Sequence, residues 1–285
     1  MNVLSTFNGM GCIWIALDKL GIKVNKRYSS EIDKYANIVN DKNYPDTIQL
    51  GDVTKVKGAD LEPIDLLVGG SPCQGFSFAG KQLNFNDPRS KLFFEFVRLW
   101  KETKPKYFLL ENVRMKKQSQ DIISSILGVE PIEINSALVS AQNRRRLYWT
   151  NIPNVTQPAD KHILVKNIID YDTNNKMLSL KAIEKHSKYS RNYTVTGKAP
   201  CLTTEIAHGT GKNVTPKCHL EIKAITNQDR VFSPTECERL QTVPDGYTEG
   251  VSNTQRFKML GNGWTVDVIS HILKNIKDNL FLKPN

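Results

Sequence analysis

No stretch of the 285-residue sequence contains the roughly 20 consecutive apolar residues that a membrane-spanning helix needs, so no span is expected. The opening residues, MNVLSTFNGMG, lack the basic-then-apolar order of a secretory leader. They read as a first strand, and a cytoplasmic setting is the expectation. Cysteine is sparse: Cys12, Cys73, Cys201, Cys218 and Cys237 are scattered, odd in number and without a CxxC pair. Neither a disulfide framework nor a zinc site is indicated, and no metal is expected. A scattered cysteine is ordinarily a small buried apolar residue. Internal repeats and low-complexity tracts are also missing.

What the sequence does contain is an ordinary globular composition, 39% apolar and 24% charged, long enough for one large core and a second small module. Its formal net charge is +10. Such an excess suits a polyanionic partner, because lysines and arginines that neutralise phosphates release counterions. A solvated lysine-rich surface accounts for the same number.

The first half alternates short apolar runs with helical patterns. Asn2–Phe7, Val24–Glu31, Ile64–Val68 and Tyr107–Leu110 read as strands. Cys12–Leu20, Asp33–Lys42 and Leu92–Thr103 read as helices. This order predicts an α/β fold with a doubly wound, mostly parallel sheet, whose ligand site lies beyond the carboxyl ends of the strands. From Asn154 to Asp229 the texture turns polar, punctuated by glycine and proline, and predicts a small loop-rich module with short strands. Helical patterns return over Ser233–Leu240, opened by a Ser-Pro-Thr-Glu cap, and over Asn262–Asn279. The expected division is therefore 1–153, 154–229 and 230–285, with the last helix returning to the first domain.

Two groups of residues carry chemistry. After the first strand comes Phe7-Asn8-Gly9-Met10-Gly11, where glycines let the backbone turn sharply against a ligand. Trp14 stands where GxGxxG has its third glycine, which weakens a dinucleotide reading. Glu31 ends the second strand and could accept both ribose hydroxyls, while Asp52 could take an adenine amine. Either acid could instead be a solvated loop carboxylate. Together they point to an adenosyl ligand.

The second group is Gly69-Gly70-Ser71-Pro72-Cys73-Gln74-Gly75, delivered to the same sheet edge. Pro72 fixes the backbone before the thiol, whose nucleophilic use requires a neighbour favouring the thiolate. The next strand runs into Glu111-Asn112-Val113, where a buried carboxyl group could donate a proton, or form half of a structural ion pair. In Gln142-Asn143-Arg144-Arg145-Arg146, an extended chain puts Arg144 and Arg146 on one face and Arg145 on the other. This suits an anionic or carbonyl-rich substrate, or simply forms a basic patch.

The order FNGMG, SE, GDV, GGSPCQGFS, ENV, QNRRR and GNG, with RSKLFFEFVRLW before ENV, resembles the DNA cytosine-5 methyltransferases over residues 1–153 and 230–285. The resemblance implies a Rossmann-like fold, S-adenosylmethionine as cofactor with S-adenosylhomocysteine as product, and double-stranded DNA as partner. Cys73 would attack C6 of a flipped cytosine. Glu111 would hold N3 and the amino edge, Arg146 would bind O2, and Arg144 would support the cysteine loop. Phe7, Gly9, Gly11, Glu31, Ile32, Asp52 and Val53 would bind the cofactor, joined by Asn262, Gly263 and Trp264. Residues 76 to 90 look like a loop closing over the substrate. The module 154–229 falls where this family keeps its target-recognition domain. Its Pro200-Cys201-Leu202-Thr203 matches a family pattern except that Cys201 replaces the usual threonine. Gln74, Ser77, Arg89, Thr203, His208 and Lys212 are the expected DNA contacts. The likeness further implies a monomer in a prokaryotic or phage setting, with a cognate restriction endonuclease as a partner.

Three alternatives stay open on sequence alone. A tRNA cytosine-5 methyltransferase shares the chemistry, although its usual Cys-Phe-Thr after ENV is replaced here by Arg114-Met115-Lys116-Lys117. A catalytically inactive DNA-binding relative should have lost the thiol, the carboxylate or the glycine turn. A NAD-dependent dehydrogenase leaves Cys73, Glu111 and the arginines unexplained.

Overall fold

The computed structural model describes residues 1–71, 88–170, 193–194, 196–199, 201–202, 220–222, 228–230 and 232–281. Of these, 88–90, 193–194, 220–222, 228–230 and 277–281 are described as backbone alone. The chain divides into two compact units. The first comprises Met1–Ile134, Arg145–Gln157 and Ile269–Asn285, and the second Asn135–Arg144 and Pro158–Val268.

In the first unit the order is β1 (Asn2–Thr6), α1 (Cys12–Lys19), β2 (Lys26–Ser30), α2 (Lys34–Asn43), β3 (Thr47–Gln49), β4 (Leu66–Gly69), α3 (Pro88–Thr103), β5 (Tyr107–Val113), α4 (Lys117–Leu127), β6 (Ile132–Asn135) and β7 (Arg145–Thr150). The seven strands form one sheet in the order β3-β2-β1-β4-β5-β7-β6. Neighbours from β3 to β5 pair in parallel. β7 runs antiparallel to β5. All four residues of β4 are buried, as expected of a parallel strand covered on both faces. Leu4, Leu67, Phe93, Phe96, Phe108, Leu110 and Trp149 belong to one core cluster. Six consecutive residues of α1, Cys12 to Leu17, are buried, so this helix sits in the core rather than on it.

The second unit contains β8 (Tyr193–Thr194), β9 (Leu220–Ile222), β10 (Gln228–Arg230), α5 (Pro234–Leu240) and α6 (Asn253–Asn262). The strands form a small sheet in the order β10-β9-β8. The helix cap read at Ser233 is present: its side chain accepts the Glu236 amide at 3.1 Å, and Glu236 Oε2 accepts the Ser233 amide at 2.7 Å. The last helix is α7 (Val266–Phe281). Its first-unit residues Ile269, Ile272, Leu273 and Ile276 are fully buried, and Ser270 Oγ donates to Ala16 O at 3.4 Å in α1.

Three expectations shift. The helix read over Asn262–Asn279 starts four residues later, because Asn262 ends α6 and Gly263 is extended with φ of −64° and ψ of 165°. The strand read as ending at Leu110 continues to Val113, since pairing with β7 carries its polar end onward. The strand read as ending at Glu31 stops at Ser30, leaving Glu31 in the turn before α2.

Candidate active site

β1 and β2 run in register, Thr6 opposite Ser30, so the turns that follow them emerge side by side. The chain leaves β1 through left-handed backbone at Phe7 (φ 55°), Gly9 (φ 57°) and Gly11 (φ 85°). At Phe7, which is not glycine, that conformation costs about 1–2 kcal/mol and must be held by its surroundings. The holding bonds are visible. The Asn8 amide donates to Ser30 O at 3.2 Å, and the Gly9 amide donates to Glu31 Oε2 at 2.8 Å. The other oxygen, Glu31 Oε1, accepts the amides of Ile32 and Asp33, both at 2.8 Å. Three backbone donors thus fix the carboxylate, and the next side chain, Ile32, is 79% exposed.

The two glycines face different surroundings. A Cβ on Gly9 would meet nothing within 4 Å, so that side of the turn is open. A Cβ on Gly11 would lie 2.7 Å from Asn40 Oδ1 and 2.8 Å from Trp14 Cδ1. Farther along, Asp52 caps one turn of 3₁₀ helix, Val53–Lys55, by accepting the Thr54 amide at 3.0 Å and its hydroxyl at 2.9 Å. The Thr54 amide, and after it the hydroxyl, hold the Asp52 carboxyl below its ordinary range. Val53 is buried, and its carbonyl accepts Arg98 Nη2 at 3.1 Å.

Polar side chains gather on β5 and β7 and just beyond the end of β4. β4 pairs with β5 up to Gly69 opposite Leu110, which brings Ser71 beside the end of β5. There the buried Asn112 donates from Nδ2 to both the carbonyl and the hydroxyl of buried Ser71, each at 3.3 Å. Antiparallel pairing sets Glu111 opposite Tyr148 and Val113 opposite Arg146. Glu111 and Arg146 are then diagonal neighbours on one face, within reach of long side chains. Arg146 Nε lies 3.0 Å from Glu111 Oε1, with side-chain exposures of only 14% and 11%. Arg146 Nη1 also donates to Arg145 O at 2.9 Å. Arg145 itself turns to Glu133, 3.1 Å away, and is exposed. The pair offers a carboxyl group and a guanidinium side by side, an arrangement suited to a ring with adjacent amine, ring-nitrogen and carbonyl edges.

Arg144 belongs to the second unit, where it is 3% exposed. Its guanidinium donates to Leu202 O (2.9 Å), Cys201 Sγ (3.3 Å), Gly263 O (2.8 Å) and Gly261 O (3.2 Å). It thereby joins the Cys201-Leu202 pair to the segment around Asn262, Gly263 and Trp264. Asn262 is exposed, and Gly263 and Trp264 are half-buried. Sequence reading missed Gln142, which is fully buried, donates to Gln241 Oε1 at 3.0 Å and accepts the Leu202 amide at 3.0 Å. Its signal was present: Gln142 shares the two-residue spacing of Arg144 and Arg146. Asn112 likewise stands in the sequence only as part of a tripeptide, and its clamp on Ser71 emerges from the fold.

Cys73, Gln74, Ser77, Thr203, His208 and Lys212 lie outside the described residues, as do residues 76–87 of the expected loop. Arg89 lies in α3, within the part described as backbone alone. Among the described residues no three His, Cys, Asp or Glu side chains are grouped to hold a metal ion. Nor is any described helix long and apolar enough to cross a membrane.

Comparison with known proteins gives a consistent answer. A sequence profile described as C-5 cytosine-specific DNA methylase matches residues 1–154 and 116–278. The chain is 32% identical over 286 residues to Type II methyltransferase M1.ScrFI of Lactococcus lactis subsp. cremoris, covering 90% of this chain and 73% of that protein. It is 27% identical over 325 residues to Type II methyltransferase M.HhaI of Haemophilus parahaemolyticus, covering 100% and 96%. Among solved structures, an S. pombe Dnmt2 methyltransferase superposes with a TM-score of 0.79 at 18% identity, covering 99% of this chain and 100% of the other. A putative DNA modification methyltransferase encoded within an E. coli prophage gives 0.73 at 20%, covering 98% and 99%. The structural matches establish the α/β methyltransferase fold, and the sequence matches the rest: the chain belongs to the C-5 cytosine-specific DNA methylase family.

Proposed function

We propose that this enzyme methylates C5 of a cytosine flipped out of duplex DNA, through a transient bond between Cys73 Sγ and C6. The observation that carries the reading is the nearly buried Glu111–Arg146 pair at 3.0 Å, with Glu111 on the strand next to the one that leads to the cysteine and Arg146 on the strand beyond it. Arg146 binds the cytosine O2, and Glu111 holds the amino group and N3. Thiolate attack forms the S–C6 bond, and the displaced ring electrons are drawn to N3, which Glu111 protonates, leaving C5 nucleophilic. When bound, S-adenosylmethionine supplies an electrophilic methyl group to that carbon, leaving S-adenosylhomocysteine. Loss of the C5 proton to a base, expulsion of Cys73 as thiolate and return of the N3 proton to Glu111 restore the ring. C6 is inaccessible in a stacked duplex, so the base must be extruded, at a cost of a few kcal/mol that protein contacts offset.

The residues around the glycine turn fit the cofactor. The open side of Gly9, the anchored Glu31 carboxylate and the exposed Ile32 side chain offer room, a ribose acceptor and an apolar surface for adenine. Phe7, Gly11, Asp52 and Val53 complete this wall, with Asn262, Gly263 and Trp264 as further cofactor residues. Arg144 orders the segment around Gly263. Residues 154–229 read the target, with Gln74, Ser77, Arg89, Thr203, His208 and Lys212 as DNA contacts. The enzyme acts as a monomer in a prokaryotic or phage cytoplasm, alongside a cognate restriction endonuclease. That setting rests on the similarity to Type II methyltransferases.

The test exposes duplex DNA and bulk tRNA to the purified protein with labelled S-adenosylmethionine, then bisulfite-sequences the DNA. Label in DNA at cytosine C5 within one short sequence is expected. Label confined to tRNA, or to another base, overturns the proposal.

A further inference from the structure

The middle of α2 holds a polar residue that the mechanism does not use. Asn40 is fully buried, and its Oδ1 accepts two hydrogen bonds, from Asn8 Nδ2 at 3.0 Å and from Trp14 Nε1 at 2.9 Å. Asn8 lies inside the glycine turn, and Trp14 stands two residues into α1. Asn40 Nδ2 donates to Asp41 Oδ1 at 3.2 Å, which fixes the carboxamide the right way round. The same Oδ1 is the atom that a Cβ on Gly11 would meet at 2.7 Å, so the turn's backbone rests directly on this oxygen. Asn8 Oδ1 is buried and has no hydrogen-bond partner among the described residues, where the Asn8 carboxamide is held through its link to Asn40.

Helix α2 begins at the other wall of the same site. Its cap, Asp33, accepts the Tyr35 and Ala36 amides, and the Asp33 amide in turn donates to Glu31. Glu31 then takes the Gly9 amide. A closed circuit results: glycine turn to Glu31, Glu31 to the start of α2, along α2 to Asn40, and from Asn40 back to Asn8 and Trp14. We infer that Asn40 is a positioning residue for the cofactor, setting the spacing between the glycine turn and the Glu31 corner. Trp14, which displaces the third glycine of a dinucleotide motif, takes part as the second donor. The inference rests on the cofactor site proposed above.

Its test is calorimetric titration of the whole protein with S-adenosylhomocysteine, without DNA, alongside kcat and KM for methyl transfer. Asn40→Leu keeps the volume but removes the shared acceptor, which ends two hydrogen bonds at once. It should weaken binding and raise KM roughly tenfold or more, with kcat within about twofold. Trp14→Phe removes one donor and should weaken binding roughly threefold. Ser124→Ala, which strips the hydrogen-bond partner from Trp149 Nε1 elsewhere in the unit, should lower the melting temperature and leave affinity unchanged. An affinity loss in Ser124→Ala equal to that in Asn40→Leu overturns the inference, because general loosening then explains both. Glu31→Ala separates the two levels of the argument. If it binds as wild type, the cofactor site itself is wrongly assigned. If it loses binding while Asn40→Leu does not, the positioning role alone fails. Should Asn40→Leu not fold, an unchanged affinity in Trp14→Phe overturns the role.

Discussion

Removing one partner of the Glu111–Arg146 pair should harm both stability and catalysis, and removing both should harm stability less. At 3.0 Å, two unit charges attract by about 5.5 kcal/mol at an effective dielectric of about 20. Both side chains are nearly nine-tenths buried, so lost hydration offsets most of that attraction. The intact pair therefore adds little net stability, whereas a single survivor, nearly buried and deprived of its opposite charge, costs about 3 kcal/mol. Glu111→Leu and Arg146→Met should each lower the unfolding free energy by about 3 kcal/mol in urea titrations. The double variant should lose less than either single. Methyl transfer, measured with labelled cofactor at saturating DNA, should fall roughly 10²–10⁴-fold in each single variant, with the double no worse than the poorer single. Strictly additive stability losses would falsify the pairing argument. Transfer within about tenfold of wild type in Glu111→Gln, which keeps the shape but removes the acidic proton, would refute the catalytic role.

Gly11→Ala should be poorly tolerated, because φ of 85° costs a side chain about 1–2 kcal/mol and its Cβ would meet Asn40 and Trp14 below 3 Å; a fallen melting temperature and lost S-adenosylhomocysteine binding are expected in calorimetry. Asn112→Ala frees Ser71 from its clamp, and kcat should drop roughly tenfold while cofactor affinity stays level. Glu238 in α5 is fully buried and accepts Gly246 N, Thr248 N and Oγ1, and Arg256 Nη2. Glu238→Ala should therefore destabilise by about 3–5 kcal/mol in chemical denaturation, since it strands the Arg256 charge and leaves several donors unmatched.

The sheet and the glycine turn were legible because they rest on local rules. Buried parallel strands read as apolar runs, and left-handed backbone asks for glycine. Glu111 could be placed at the sheet edge from Tyr107–Leu110 alone, but its partner could not, because Arg146 reaches it only through an antiparallel pairing with β7. Helix α4 was missed although its buried residues Ser119, Ile123, Ser124 and Leu127 follow helical spacing; two serines on that face disguised it as polar chain. Asn40 was invisible for a related reason. A polar residue in mid-helix reads as solvated, and its partners Asn8 and Trp14 are 32 and 26 residues away in sequence. Gln142 and Arg144 also find their partners far along the chain, with Arg144 bonding 58 and 119 residues downstream at Leu202 and Gly263.

The central claim is a bond between Cys73 and C6 of the target base. Duplex DNA containing 5-fluorocytosine at the methylated position traps that bond, because fluorine cannot leave C5 as a proton does. Mass spectrometry of the wild-type protein incubated with this DNA and S-adenosylmethionine should find a covalent complex mapped to the Cys73 peptide, absent in Cys73→Ser. A complex that persists in Cys73→Ser, or normal methylation by that variant, contradicts the account.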